Sequence, residues 1–287
     1  MRTLGRDLKT VSIHTVLKAI HDMPHDQEES GESKQTQYNA PALEKGLDIL
    51  ELLAQGHHGL TRKEIAERLG RSVGEVFRMV ETLTRRAYIV QRDDSYVLGM
   101  KLFELAHEFP PLQRLLRLAI PRMEVLAATS GQSCHLSVRN GNKQLVVAQV
   151  DTPTGVGFGV KIGSALDMHQ SASGRVLLAF DEREVADRVL SADVSLNSAE
   201  RSAVLDDLTK IAEIGFAFMK SRQFSGVEAM SFPIFDARRH ALAALTVPYV
   251  TRLDDQTKMA SSDVLSQLSL IASELNTHLL GNGAGPA

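Results

Sequence analysis

The sequence predicts an α+β chain of two domains. A winged helix-turn-helix spans residues 40–101, and a domain mixing strands with helices spans residues 102–280, joined to the first by helices. Three observations predict this. The chain has 287 residues, about two domains at roughly 150 residues each. Two helix-start signatures, Thr61 with Glu64 and Ser72 with Glu75, stand on either side of Gly70. From residue 131 to 250, strand-like and helix-like text alternate.

Composition excludes several classes. Apolar content of 43% and charged content of 23% are ordinary for a globular protein. No run of 18 apolar residues occurs, so no membrane-spanning helix is expected. The lone Cys134 excludes an intrachain disulfide and a cysteine-based zinc site. No apolar signal segment opens the sequence, so a cytoplasmic protein is expected. The net charge is −3, so any positive charge meant for nucleic acid must be local rather than global. Residues 23–39 are polar with almost nothing to bury, and residues 1–39 are expected to form a disordered tail. Met23 stands just ahead of the polar stretch and is expected to be the true start.

From Pro41 the chain becomes periodic. Leu43, Leu47, Leu50 and Leu53 recur at helical spacing, and Gly56 and Gly59 interrupt them. Thr61 as N-cap and Glu64 three positions into the helix form a capping box, with Leu60 and Ile65 placed as a hydrophobic staple. Gly70 supplies the helix end. Ser72 and Glu75 repeat the capping box, and the third helix is expected to bury Val73, Val76, Phe77, Val80, Leu83 and Ala87. Two short capped helices around a glycine turn are the mark of a helix-turn-helix. Tyr88–Arg92 and Tyr96–Leu98 around Asp93-Asp94-Ser95 then predict a small hairpin, the wing.

Residues 99–130 read as helices broken at Pro110-Pro111, a connector able to pack on a partner subunit. Ser133–Arg139 and Gln144–Val150 flank Asn140-Gly141, a hairpin turn signal. Helices are predicted over Ser173–Phe180, Glu182–Leu190 and Ala199–Ile214, strands near Val227–Phe235 and Ala241–Val250, and a last helix over residues 254–280.

Several segments in this order resemble the IclR-type bacterial transcriptional regulators. In the first domain they are Ala42-Leu43-Glu44-Lys45-Gly46-Leu47, Gly59-Leu60-Thr61 with Glu64-Ile65-Ala66, Leu69-Gly70 with Val76 and Arg78, and Tyr96-Val97-Leu98-Gly99. In the second they are Met168-His169, Ser171-Ala172, Gly174-Arg175-Val176-Leu177-Leu178-Ala179, Gly226-Val227-Glu228, Ser231-Phe232-Pro233 and Ala243-Ala244-Leu245-Thr246-Val247. The resemblance implies DNA binding by the first domain and a GAF-like (profilin-like) effector-binding second domain. The family usually has Gly where Ala87 stands, and Ser-Thr where Gly74-Glu75 start the reading helix. The helix end at Ala87 is therefore expected to be built differently, and no family operator sequence carries over.

Arg71, Arg78 and Arg85 recur every seven residues and are expected to form one stripe on the reading helix. A reading helix meets bases mainly through its first turns, which places Ser72, Gly74, Glu75 and Arg78 nearest the base edges. Arg78 suits guanine and Glu75 suits the cytosine amino group, although Glu75 equally suits the cap alone. Arg62, Lys63, Arg85 and Arg92 are read as phosphate contacts. The alternative is that the stripe is only a solvated face.

In the second domain, Ser171-Ala172-Ser173-Gly174 opens a helix whose free N–H groups suit a carboxylate. Carried over by resemblance, a ligand would meet Met168, His169, Ser171, Ser173, Met219, Val227, Ala229, Thr246 and Pro248. The mostly apolar set implies a largely apolar organic acid. No metal cluster or phosphate loop is apparent, so no cofactor is expected. Cys134 and His135 are adjacent on a strand and point to opposite faces, so they cannot form a nucleophile–base pair. The expectation is a regulator controlled by a small organic effector, not an enzyme, that binds double-stranded DNA at a pseudo-palindromic operator as a homodimer or dimer of dimers, away from membranes. The alternative is a ligand-independent DNA-binding protein whose second domain only oligomerises.

Overall fold

The computed structural model describes residues 40–56, 58–153, 157–221, 224–251 and 259–281. The expected tail over residues 1–39 and the start at Met23 lie outside the described residues. The chain divides into two compact units between Met100 and Lys101.

The first unit holds α1 (Pro41–Gln55), α2 (Arg62–Leu69), α3 (Val73–Arg85) and a hairpin of β1 (Ile89–Arg92) and β2 (Ser95–Leu98). Both capping boxes form, each with its two reciprocal hydrogen bonds. The staple forms as well, since Leu60 and Ile65 are both buried. Gly70 closes α2 at φ 61°, and the N–H of Arg71 reaches the carbonyl of Ala66 at 2.9 Å. The core joins Ile49, Leu53, Ile65, Val76, Val80, Ile89 and Tyr96. Asp93, at φ 52°, turns the hairpin.

Three expectations for α3 are corrected. Val73, Phe77 and Ala87 are exposed, Phe77 by 45%. Only a narrow stripe through Val76 and Val80 faces the core, because α3 meets its neighbours on one side. The Phe77 ring instead receives the Arg62 guanidinium at 5.1 Å, a cation over the negative face of the ring. Second, Arg71 precedes α3, so the helical stripe is Arg78 with Arg85. Third, α3 ends as glycine-capped helices do. Ala87 takes φ 60°, its N–H donates to Thr84 and the N–H of Tyr88 donates to Leu83, both at 2.9 Å. Gly99 crosses this turn so closely that a methyl group there would overlap the Ala87 carbonyl.

The second unit holds α4 (Lys101–His107), α5 (Pro110–Ser130), β3 (Cys134–Asn140), β4 (Lys143–Val150), β5 (Ala165–Asp167), α6 (Ala172–Ala179), α7 (Arg183–Ser191), α8 (Ser198–Ile214), β6 (Ala217–Lys220), β7 (Val227–Phe235), β8 (Ala241–Val250) and α9 (Ser261–Gly281). The prolines at 110 and 111 start α5, where a missing N–H costs nothing. The strands form one antiparallel sheet in the order β5-β4-β3-β8-β7-β6.

Alternation along the strands builds two cores. Cys134, Leu136, Met230, Leu245 and Val247 face α5 and α9. Ala217 and Ala244 face α6, α7 and α8 with Val176, Leu177, Leu190 and Leu208. β8 is buried on both faces, which its almost unbroken apolar text anticipates. The short strands β5 and β6 had no sequence expectation, and at three and four residues they are too short for a periodic pattern.

Candidate functional site

The first candidate site is the exposed side of α3 with its flanks. Its opening turn is locked from within. The Ser72 hydroxyl accepts from the Glu75 N–H at 3.3 Å and donates to Glu75 Oε2 at 2.9 Å. Oε2 also accepts from the Ser72 N–H at 3.1 Å, and Oε1 takes Lys45 Nζ of α1 at 2.6 Å. The Lys45 ammonium and the cap N–H together hold the Glu75 carboxyl down at about 2. Both oxygens are thus engaged, so the capping role of Glu75 is formed in the structure. Ser72 is committed in the same way.

Gly74 and Arg78 remain open on this side. Nothing lies within 4 Å of where a Gly74 side chain would begin, so packing within the chain does not require glycine there. Arg78, Arg85 and Arg92 are exposed and make no ion pair among the described residues. Arg71 lies 3.5 Å from Asp48, and Lys63 lies 3.9 Å from Glu67, both side chains largely exposed, a pair of little energetic weight. Arg62 is placed by Phe77 and Tyr96. The result is an almost neutral domain whose exposed cations without an ion pair among the described residues include Arg78 and Arg85 of α3 and Arg92 of the wing, with Arg68 on α2.

The second candidate site is a cavity of about 310 Å³ beside the sheet, within the range of small-molecule sites. Met219, Val227, Ala229, Thr246 and Pro248 line it, as the resemblance implied. Ser171 and Ser173 line it where α6 begins. Phe158 and Phe224 meet edge to face at 4.9 Å in its wall. Sequence reasoning missed this pair, together with Lys161, Lys220, Gln170 and His135. The loop residues carry no periodic signal.

Met168 and His169 do not line the cavity, which corrects their assignment. Met168 is buried in the core beneath α6. His169 Nδ1 lies 3.0 Å from Asp193 Oδ2, and its carbonyl accepts from Arg175 Nε at 2.8 Å. Arg175 is itself buried and bound to Asp207 at 2.6 Å. The pair therefore braces α6 from behind. Gly174 permits this, since its missing side chain would sit 2.6 Å from Met168 Cα.

The hydrogen bonds at the start of α6 determine which groups are free. The Ser171 hydroxyl donates to the Asp167 carbonyl at 3.0 Å and accepts from the Gly174 N–H at 3.1 Å and from Gln144 Nε2. Its capacity is used. The N–H groups of Ala172 and Ser173, at the positive end of the helix dipole, have no partner among the described residues. Lys161 and Lys220 add two cations with no ion pair among the described residues. Asp167 is paired with Lys143. The cavity thus combines apolar walls with donors suited to an anion.

The thiol of Cys134 lies on the other face of the sheet, 3.5 Å from the Met123 carbonyl. Burial pushes it up to about 12, which leaves it unreactive at neutral pH. Among the described residues, no group of three His, Cys, Asp or Glu could hold a metal ion. None of their helices is long and apolar enough to cross a membrane.

Known proteins share both halves of this arrangement. Residues 42–93 match the IclR helix-turn-helix domain, and residues 112–275 match the C-terminal domain of bacterial IclR transcriptional regulators. The HTH-type transcriptional regulator BhcR of Paracoccus denitrificans is 29% identical over 234 residues, 78% of this chain and 83% of that protein. The glycerol operon regulatory protein of Streptomyces coelicolor is 29% identical over 216 residues, 73% of this chain and 84% of that protein. Among solved structures, an IclR homolog from Microbacterium hydrocarbonoxydans complexed with 4-hydroxybenzoate superposes with a TM-score of 0.69 at 23% identity, covering 84% of this chain and 99% of the other. BhcR and the glycerol operon protein are both regulatory proteins. With a winged helix-turn-helix whose free cations flank its reading helix, a sheet-and-helix domain enclosing a cavity, and family matches across both, the chain belongs to the IclR family of DNA-binding bacterial transcriptional regulators.

Proposed function

We propose that this regulator is controlled by a small organic acid with a largely apolar body, bound in the cavity at the start of α6. One observation carries this reading. N–H groups of Ala172 and Ser173 and two lysines, none of them paired among the described residues, line a space otherwise walled by Phe158, Val227, Ala229 and Pro248. Anions favour a helix N-terminus, and the apolar walls favour a body larger than two or three carbons. The fold neighbour that carries 4-hydroxybenzoate supports the same ligand class. The alternative, a second domain that only oligomerises, calls for a filled interior, and the cavity weighs against it.

A thermal-shift screen of organic acids tests this, because a ligand of the native state raises its apparent stability. Aromatic acids are expected to stabilise the wild type. Ala229→Leu fills the space for the body and is expected to abolish the shift while operator binding persists. Equal shifts in both proteins would move the pocket elsewhere, and hits confined to cations would end the acid reading.

The DNA reading has its own test. In this reading Arg78 meets base edges, Arg62, Lys63, Arg85 and Arg92 meet phosphates, and Arg71 also faces DNA. One wing and one reading helix span only a short site, so a two-fold homodimer, or a dimer of dimers, is expected to protect a pseudo-palindromic operator. Footprinting that protected a single unpaired half-site would contradict this.

A further inference from the structure

We infer that His135 is a recognition residue of the cavity, and that the effector carries, besides its carboxylate, a neutral hydrogen-bonding group on its apolar body. The inference rests on the acid reading above and deepens it.

His135 lies on β3, in register with Thr246 of β8, and lines the cavity. It is only 4% exposed. Neither of its ring nitrogens has a hydrogen-bond partner among the described residues. Buried polar groups are nearly always paired, so two unpaired nitrogens on one ring require an account. Other buried side chains also carry an unpaired atom, among them Thr84, Arg122 and Arg201, but none of those lines the cavity.

No neighbour among the described residues makes the missing bonds. The Thr246 hydroxyl bonds Ser231 at 2.9 Å, and Val227, Ala229 and Pro248 of the same cavity wall are apolar on their side chains. The imidazole is neutral, because burial alone holds its pKa at about 4. A neutral imidazole offers one donor and one acceptor. A carboxylate only accepts, and it finds better partners in the α6 N–H groups and the lysines. A hydroxyl both donates and accepts, so it satisfies either nitrogen in either tautomer. The cavity therefore has two chemically different polar regions, one for an anion and one for a neutral group, and His135 provides the second.

A matched pair of acids isolates this. Benzoate and 4-hydroxybenzoate differ only by the hydroxyl, and phenylacetate with 4-hydroxyphenylacetate lengthens the body by one carbon. Calorimetric titration of the full-length wild type is expected to favour the hydroxylated member of at least one pair by about tenfold or more, since a site built to bond a hydroxyl rejects the analogue without one. In His135→Phe, which keeps a ring and removes both nitrogens, the preference is expected to fall to about twofold or less, with the parent acid still bound. Nitrogen-15 shifts of the His135 ring in the wild type give a readout that needs no variant. They should move on saturation with the preferred hydroxylated acid and much less with its parent. If acids bind but the preference survives in His135→Phe, or the ring shifts do not distinguish the pair, His135 has no such role and the acid reading stands. If no acid binds the wild type, both fall together.

Discussion

Arg78 and Arg85 carry the same charge on the same helix, yet the proposed DNA reading gives them different work. Arg78 lies close behind the opening turn of α3, beside the open Gly74, and Arg85 lies at the last turn. Arg78→Ala is expected to cost about 1–3 kcal/mol on the cognate operator and little on random DNA. Arg85→Ala should weaken both about equally and lower the salt slope by about one unit. Binding assays on the two DNAs over a salt series check this, and equal losses from Arg78→Ala would make it a phosphate contact. Around these residues, the sequence showed Ser72 and Glu75 as a capping box because that motif closes within four residues. It did not show the ion pair that Lys45 adds to Glu75, because Lys45 comes from another helix.

At the scale of elements, the end of α3 is informative. The hydrogen bonds that close it demand a left-handed residue, and Ala87 takes that conformation although glycine would adopt it freely. Ala87→Gly is expected to stabilise the protein by about 1 kcal/mol, measured by denaturant unfolding followed through the first domain. A loss of stability would show that the Ala87 methyl makes contacts that outweigh its strain. Helix termini in the first domain were readable because each is encoded by a few adjacent residues: Thr61 and Ser72 as N-caps and Gly70 as a left-handed end. Burial along α3 was less readable. Phe77 is as apolar as Val76, and only the positions of α1, α2 and β1 decide which of them is covered.

At the scale of the whole molecule, burial of a titratable group couples stability to pH. The folded-state pKa of His135 is depressed from 6.5 to about 4, so the unfolded chain takes up its proton first. The stability this residue allows is complete above pH 6.5 and falls as pH drops toward 4. His135→Phe removes that dependence. Unfolding free energies measured from pH 7.5 to 5 are expected to fall less steeply in the variant, by up to about 2 kcal/mol over the range at about 1.4 kcal/mol per unit. Parallel curves would mean the imidazole titrates normally in the folded protein.

The fold class, the two capping boxes, the wing and the strands β3, β4, β7 and β8 were determined by the sequence alone. Each rests on local physics: a cap, a turn residue or a burial period written in neighbouring residues. The resemblance to known regulators also located Val227, Ala229, Thr246 and Pro248 in the cavity wall. The tertiary structure alone decided the sheet order, the short edge strands β5 and β6, and which histidine meets the cavity. His169 stands in the expected motif but turns to Asp193 behind α6, while His135, far away in sequence, is carried to the cavity by the pairing of β3 with β8. Strand pairing between distant segments is a property of the assembled core, where burial of one face determines register, and no short window of sequence encodes it.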